Sequence, residues 1–282
     1  MDKKLEELKK EYSEIKASEE LKSKMENEFK KSNGRKNLKT ALGTVAAVLI
    51  VFGVAVNASP SFACAMNDIP VVGDIVKVVT MGKYENVDNG FEITINTPQI
   101  QGLKNKDLEK QLNSEFKEQA DCVKAIFEKD IEEFKKNNEG ETGHEAIEYN
   151  FRIISDNDEH LVLDTYILRI AASGVEQHNF YTIDKNSGKL VVLSELFNKD
   201  ADFITPISNF IKTEMERLNR EEYGTFFIDG PGSFESIDEN TNFYINDDGQ
   251  LVICFDEYEF AAGVQGSHEF VIPDEVIKDI VK

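Results

Sequence analysis

From Thr40 to Asn67 the chain carries no charged side chain, and Leu42, Val45, Val48, Leu49, Ile50, Val51, Phe52, Val54 and Val56 crowd the first part of that stretch. As a helix, Ala41–Ala58 would rise about 27 Å, close to the hydrocarbon thickness of a bilayer. A soluble helix of that length needs a polar stripe, and none is present. The flank before it is basic, with Lys30, Lys31, Arg35, Lys36 and Lys39, whereas the next Lys or Arg after it is Lys77. The excess of positive charge on the N-terminal side orients such a span. The expected layout is therefore a cytoplasmic segment (1–39), one transmembrane helix (40–58), a juxtamembrane linker (59–74) and an extracellular region (75–282), whose halves run about 75–145 and 146–282. The chain is expected in the cell membrane, single-pass, with its N-terminus in the cytoplasm and its C-terminal region outside.

A cleaved signal peptide would also place an apolar run behind a basic head, but a head of 39 residues is far longer than such leaders carry. The exit of the span nevertheless has the chemistry of a leader cleavage site. Val56-Asn57-Ala58, Ser61-Phe62-Ala63 and Ala63-Cys64-Ala65 each put small or short residues three and one before a peptide bond. Ala58, Ala63 and Ala65 are the protease cleavage candidates.

Charge divides the chain in the same places. The whole has 32 basic and 53 acidic residues, a net of −21. Residues 1–39 hold 12 basic and 9 acidic, a net of +3, which leaves 20 and 44 beyond the span, a net of −24. So acidic a body repels phosphates, and no nucleic-acid partner is expected. In the head, Leu5, Leu8, Tyr12 and Ile15 recur at helical spacing, and Leu21, Met25 and Phe29 continue the pattern behind the helix-capping Ser18. Two helices this short bury no core of their own, so their apolar faces point to a cytoplasmic partner whose groove covers them.

Beyond the linker the pattern is mixed. Ile75–Thr80, Phe91–Asn96, Glu148–Ser155, Leu161–Ala171, Gln177–Ile183 and Lys189–Leu193 read as strands, with turns at Asp88-Asn89-Gly90, Asp156-Asn157-Asp158 and Asp184–Gly188. Lys106–Lys136 reads as one long helix, because Leu108, Leu112, Phe116, Ala120, Val123, Phe127, Ile131 and Phe134 repeat at three and four. Asp202–Asn219 reads as a second helix. Asn242–Ile245 and Gln250–Phe255 form a hairpin, His268–Ile272 a last strand and Pro273–Val281 a last helix. The expected fold is α+β, an antiparallel sheet with packed helices.

Catalytic chemistry is not legible. His144, His160, His178 and His268 share no ligand spacing, and each reads as a loop or strand surface residue. Asp184–Gly188 with Glu195 imitates a calcium loop only faintly, since the glycine stands where a ligand belongs. Cys64, Cys122 and Cys254 are too scattered for a zinc ribbon; Cys122 and Cys254 fall on the same side of the span, and the sequence leaves their pairing open. No catalytic residue, metal site or cofactor is assigned, and the chain is read as a non-enzyme.

Taken together, these segments resemble the membrane-bound anti-sigma factors of the RsiV type. The resemblance runs over nearly the whole length. It is carried by Glu11-Tyr12 and Glu20-Leu21 in the head, and by Ala58–Ala63 followed by Ile69-Pro70-Val71-Val72-Gly73-Asp74 at the span exit. Further on it rests on Ala172-Ser173-Gly174, Thr182-Ile183-Asp184 with Gly188-Lys189, Leu193–Phe197, and Phe255–Glu259 leading to Phe270–Pro273. The same ectodomain type is joined to a peptidoglycan deacetylase in other proteins. The resemblance implies that the head, through Leu5, Leu8, Tyr12, Ile15, Leu21, Met25 and Phe29, holds an extracytoplasmic-function sigma factor. It implies that the ectodomain binds lysozyme, that signal peptidase then cuts beside the span, and that a site-2 protease cuts within it. It places Ser173, Ala262 and Val264 at ligand-contact positions. Relatives carry Pro and Tyr where this chain has Ala262 and Val264, and loss of a buried aromatic anchor costs about 2 kcal/mol or more. The alternative is an anchored or secreted lysozyme inhibitor or cell-wall binding module without a signalling role.

Overall fold

A long hairpin opens the described part of the molecule. The computed structural model describes residues 76–282, apart from 172, 222, 223 and 231. The expected head helices with Leu5, Leu8, Tyr12, Ile15, Leu21, Met25 and Phe29, the span, and the cleavage candidates Ala58, Ala63 and Ala65 lie outside the described residues. Strand β1 (Lys77–Asp88) returns through Asn89 and Gly90 into β2 (Phe91–Gln101). Asn89 and Gly90 have φ of 51° and 79°, the left-handed pair that a tight hairpin turn demands. A Cβ on Gly90 would stand 2.0 Å from the Gly143 carbonyl oxygen, so only glycine fits. β1 is longer than the strand expected to end at Thr80. It is the sheet edge and mostly exposed, so it needs no alternating pattern, and a bulge between Thr80 and Gly82 interrupts it.

Helix α1 (Lys106–Asn137) follows. The side chain of its cap residue Asn105 accepts from the backbone of Asp107 and Leu108. The helix crosses the sheet and delivers β3 (Glu145–Asp156) parallel to β2. This pair departs from the expected all-antiparallel sheet, for a physical reason: a connection long enough to hold such a helix permits a parallel crossover, which a short turn does not. β4 (His160–Ile170), β5 (Gly174–Asp184) and β6 (Lys189–Leu190) then add antiparallel and in order, giving a six-stranded sheet. Leu108, Leu112 and Phe116 of α1 pack on Ile100, Leu161, Leu163, Tyr181 and Ile183, which form one face of that sheet.

The second half is built around α2 (Ile204–Glu221) and a three-stranded antiparallel sheet, β7 (Phe243–Ile245), β8 (Leu251–Phe255) and β9 (His268–Val271). Ile207, Ile211 and Met215 pack on Ile253, Phe255 and Phe270. The other face of this sheet, with Tyr244, Val252 and Cys254, packs on Val162 and Phe180 of the larger one. The helix expected over Pro273–Val281 is shorter: α3 covers Asp274–Ile277, and the chain then bonds back as Val281 pairs with Phe197. The strand expected over Lys189–Leu193 stops at Leu190, and a single 3-10 turn covers Leu193–Leu196. The α+β class stands, with antiparallel pairing dominant. Among the described residues, no helix is long and apolar enough to cross a membrane.

Candidate functional site

Two stretches far apart in sequence meet at the outer edge of β5. Ser173, exposed, ends the turn between β4 and β5, where its carbonyl accepts from Ala171 N–H at 3.0 Å. The loop between β8 and β9 carries Ala262 and Val264. Its middle is tied down by a bridge between Phe226 and Ala261, and Phe227 N–H donates to the Phe260 carbonyl at 2.8 Å. A short 3-10 turn (Gly263–Gln265) caps the loop and presents Val264 at 87% exposure, while Ala262 is half-buried. Tyr258 is half-exposed and takes φ of 67°. Its ring lies on Gly263 so closely that a Cβ there would come within 2.0 Å of Cζ. Ser173 stands three residues before Glu176, whose N–H donates to Glu257 Oε2 at 3.3 Å, and Ala262 and Val264 lie further along the loop that Glu257 opens.

Where the start of the loop meets β5 lies a cluster that sequence reading missed. His178 is not the surface residue expected: it is 4% exposed. It shares the inward face of β5 with Phe180, on which its ring stacks. Its Nδ1 lies 2.9 Å from Asp164 Oδ2, which also accepts from Arg152 Nε at 2.8 Å. Asp164 is fully buried, so both contacts offset the cost of desolvating it. Burial alone would lower the basicity of His178, but the bond and charge of Asp164, with Glu176 and Asp256 beside them, raise it above the ordinary imidazole range. Asp256 is pushed up to about 6 by burial, against the pull of the His178 N–H and ring. Arg152, Glu176, His178, Asp256, His268 and Glu269 line a cavity of about 330 Å³ at this junction. The alternation Glu176, His178, Phe180 was the one available signal, since it places all three on the same strand face.

Among the described residues, no group of three His, Cys, Asp or Glu side chains is placed to hold a metal ion. His144 is exposed, and His160 and His268 are partly buried. Cys122 and Cys254 are free thiols, the latter buried.

Comparison with known proteins separates the two sheets. Residues 84–168 match the family described as Deacetylase PdaC, and residues 194–275 match a protein family of unknown function, DUF3298. The Anti-sigma-V factor RsiV of Bacillus subtilis (strain 168) is 32% identical over 287 residues, covering 100% of this chain and 98% of that protein. A crystal structure of a DUF3298 family member from Bacteroides fragilis has a TM-score of 0.54 at 15% identity, covering 74% of this chain and 94% of that one. A DUF3298 family protein from Pseudomonas aeruginosa PAO1 has a TM-score of 0.46 at 12% identity, over 77% of this chain and 96% of that one.

Proposed function

The chain belongs to the family of the anti-sigma factor RsiV, and on that premise we propose that it is a membrane-anchored anti-sigma factor. The observation that carries the proposal is the full-length match. It includes the basic, amphipathic head, which is the part available for a cytoplasmic partner. Residues 1–39 sequester an extracytoplasmic-function sigma factor through Leu5, Leu8, Tyr12, Ile15, Leu21, Met25 and Phe29. Residues 40–58 span the membrane, residues 59–74 form the protease-accessible linker, and residues 75–282 sense an extracellular ligand. That ligand is lysozyme, bound through the Ser173 turn and the loop of Ala262 and Val264. Binding favours a state in which signal peptidase reaches the bond after Ala58, Ala63 or Ala65; a site-2 protease then cuts within the span and frees the sigma factor. A ligand shifts such an equilibrium only by its differential affinity for the two states. A body of net charge −24 supports the capture of a basic protein, because complementary fields raise the association rate.

The direct test is affinity capture of the full-length chain from detergent-solubilised membranes. A sigma factor is expected in the eluate, and it should disappear with Leu8→Asp or Phe29→Asp. A wild-type eluate without a sigma factor would contradict the proposal.

A further inference from the structure

β5 is an edge strand over most of its length. β4 pairs with it from Gly174 to Asp184 on one side, while β6 covers only Ile183 and Asp184 on the other. The backbone groups on its open side would be a row of unpaired donors and acceptors. Groups from outside the first five strands fill that row. His178 N–H donates to Asp256 Oδ1 at 2.9 Å, and Glu176 N–H donates to Glu257 Oε2 at 3.3 Å. The His178 carbonyl accepts from Asn242 Nδ2 at 2.8 Å, and the Thr182 carbonyl accepts from Val191 N–H at 2.8 Å.

The two acidic acceptors stand at the start of the loop that carries Ala262 and Val264. The two donors stand three and five residues after Ser173. We infer that Asp256 and Glu257 are positioning residues for ligand recognition: their carboxylates clasp the loop to the open edge of β5 and so hold Ser173 and Val264 in one fixed surface. This rests on the reading of that loop as the ligand-binding surface.

The choice of side chains over backbone pairing has a physical reason. A strand added to β5 would hold the segment extended, whereas the chain turns at once through Tyr258 at φ of 67°. A non-glycine residue there is strained, and it persists only where its surroundings over-determine it. Charged acceptors bond backbone N–H groups more strongly than neutral ones, and they do so without imposing strand geometry. The clasp holds one end of the loop, and the bridge from Phe226 to Ala261 holds its middle. Opposite charge sits close by, with the His178 ring on Asp164 and Arg152 beyond it, so the acids are not left to repel one another alone.

The experiment uses the full-length chain in detergent micelles with four variants, Asp256→Ala, Glu257→Ala, Asp256→Asn and Glu257→Gln. The amides keep the acceptor oxygen and lose the charge. Amide hydrogen exchange of peptides covering residues 174–180 is read without ligand, and the dissociation rate of a basic lysozyme is read with it. The alanine variants should exchange at least tenfold faster and release lysozyme at least fivefold faster, while the amide variants, which keep a weaker neutral acceptor, fall between them and wild type. Glu257→Ala trims a half-exposed side chain, so the comparison does not depend on the deeper Asp256 position alone. Unchanged exchange in both alanine variants would overturn the clasp, as would amide variants damaged as badly as the alanine ones. Faster exchange with unaltered lysozyme release would overturn its role in recognition. A wild-type chain that binds no lysozyme would instead remove the ligand reading, and the exchange arm would still decide the clasp.

Discussion

Glu115 is the residue whose chemistry departs most from its appearance in the sequence. It lies beside the apolar stripe of α1 and reads as a solvated acid, yet it is 8% exposed. The Tyr181 hydroxyl donates to its Oε1 at 2.8 Å. Gln119 Nε2 donates to the Tyr181 oxygen at 2.9 Å, and the Tyr149 hydroxyl donates to Gln119 Oε1 at 2.8 Å. Burial pushes the Glu115 carboxyl up to about 8, partly offset by the Tyr181 bond and aided by Glu118. The proton is therefore held more tightly in the folded chain than in the unfolded one. Its stabilising contribution is complete below the unfolded value and is lost as pH rises through about 8. Stability in urea should fall by a few kcal/mol between about pH 5 and pH 9, because each tenfold difference in proton affinity is worth about 1.4 kcal/mol. Glu115→Gln should flatten that fall; an equal slope in the variant would show that another group is responsible. Periodicity missed this residue because its partner, the Tyr181 hydroxyl, comes from a strand distant in sequence. The same holds for His178, whose partner Asp164 comes from the neighbouring strand. Val264 poses the opposite case, a residue legible only by resemblance. At 87% exposure it leaves room for a ring, so Val264→Tyr should tighten lysozyme binding by about thirtyfold, the scale of one aromatic anchor of about 2 kcal/mol. Unchanged or weaker affinity would contradict the alignment of the loop.

Elements were most legible where a local pattern had no competitor. α1 and α2 follow their repeats of three and four closely, and the Asn89-Gly90 turn lies where that pair predicts it. Misses fell where tertiary contacts decide. β1 extends to Asp88 because pairing with β2 carries it, although its own side chains barely alternate in burial. α3 ends after four residues because the chain beyond it is recruited by Phe197 and Asn198. Parallel pairing of β2 with β3 is invisible to periodicity, which reports faces and not directions. Gly90→Ala tests the hairpin at this scale. A methyl group forced against the Gly143 carbonyl, in a left-handed backbone, should cost about 2–4 kcal/mol in chemical denaturation. A loss under about 0.5 kcal/mol would mean that the turn relaxes freely, which is the cost expected of an ordinary surface change.

At the scale of the whole molecule, charge divides the sequence into a basic head and an acidic body. The acidic body and the uncharged stretch that separates it from a basic head are plain in the sequence, while the two sheets and the junction between them needed the structure. If steering by the net charge of −24 matters, the association rate of a basic lysozyme should fall severalfold between about 20 and 300 mM salt, as screening shortens the Debye length. The dissociation rate should change far less. A salt-insensitive association rate would leave the acidity of the body without a role in capture. The central claim, that an external ligand is converted into release of a cytoplasmic partner across one membrane span, is tested most directly by N-terminal sequencing of the fragment shed from intact cells after lysozyme is added. A lysozyme-dependent fragment beginning at Ser59, Cys64 or Met66 is expected. A full-length chain left uncut by lysozyme, or a fragment starting beyond Val76, would contradict the claim.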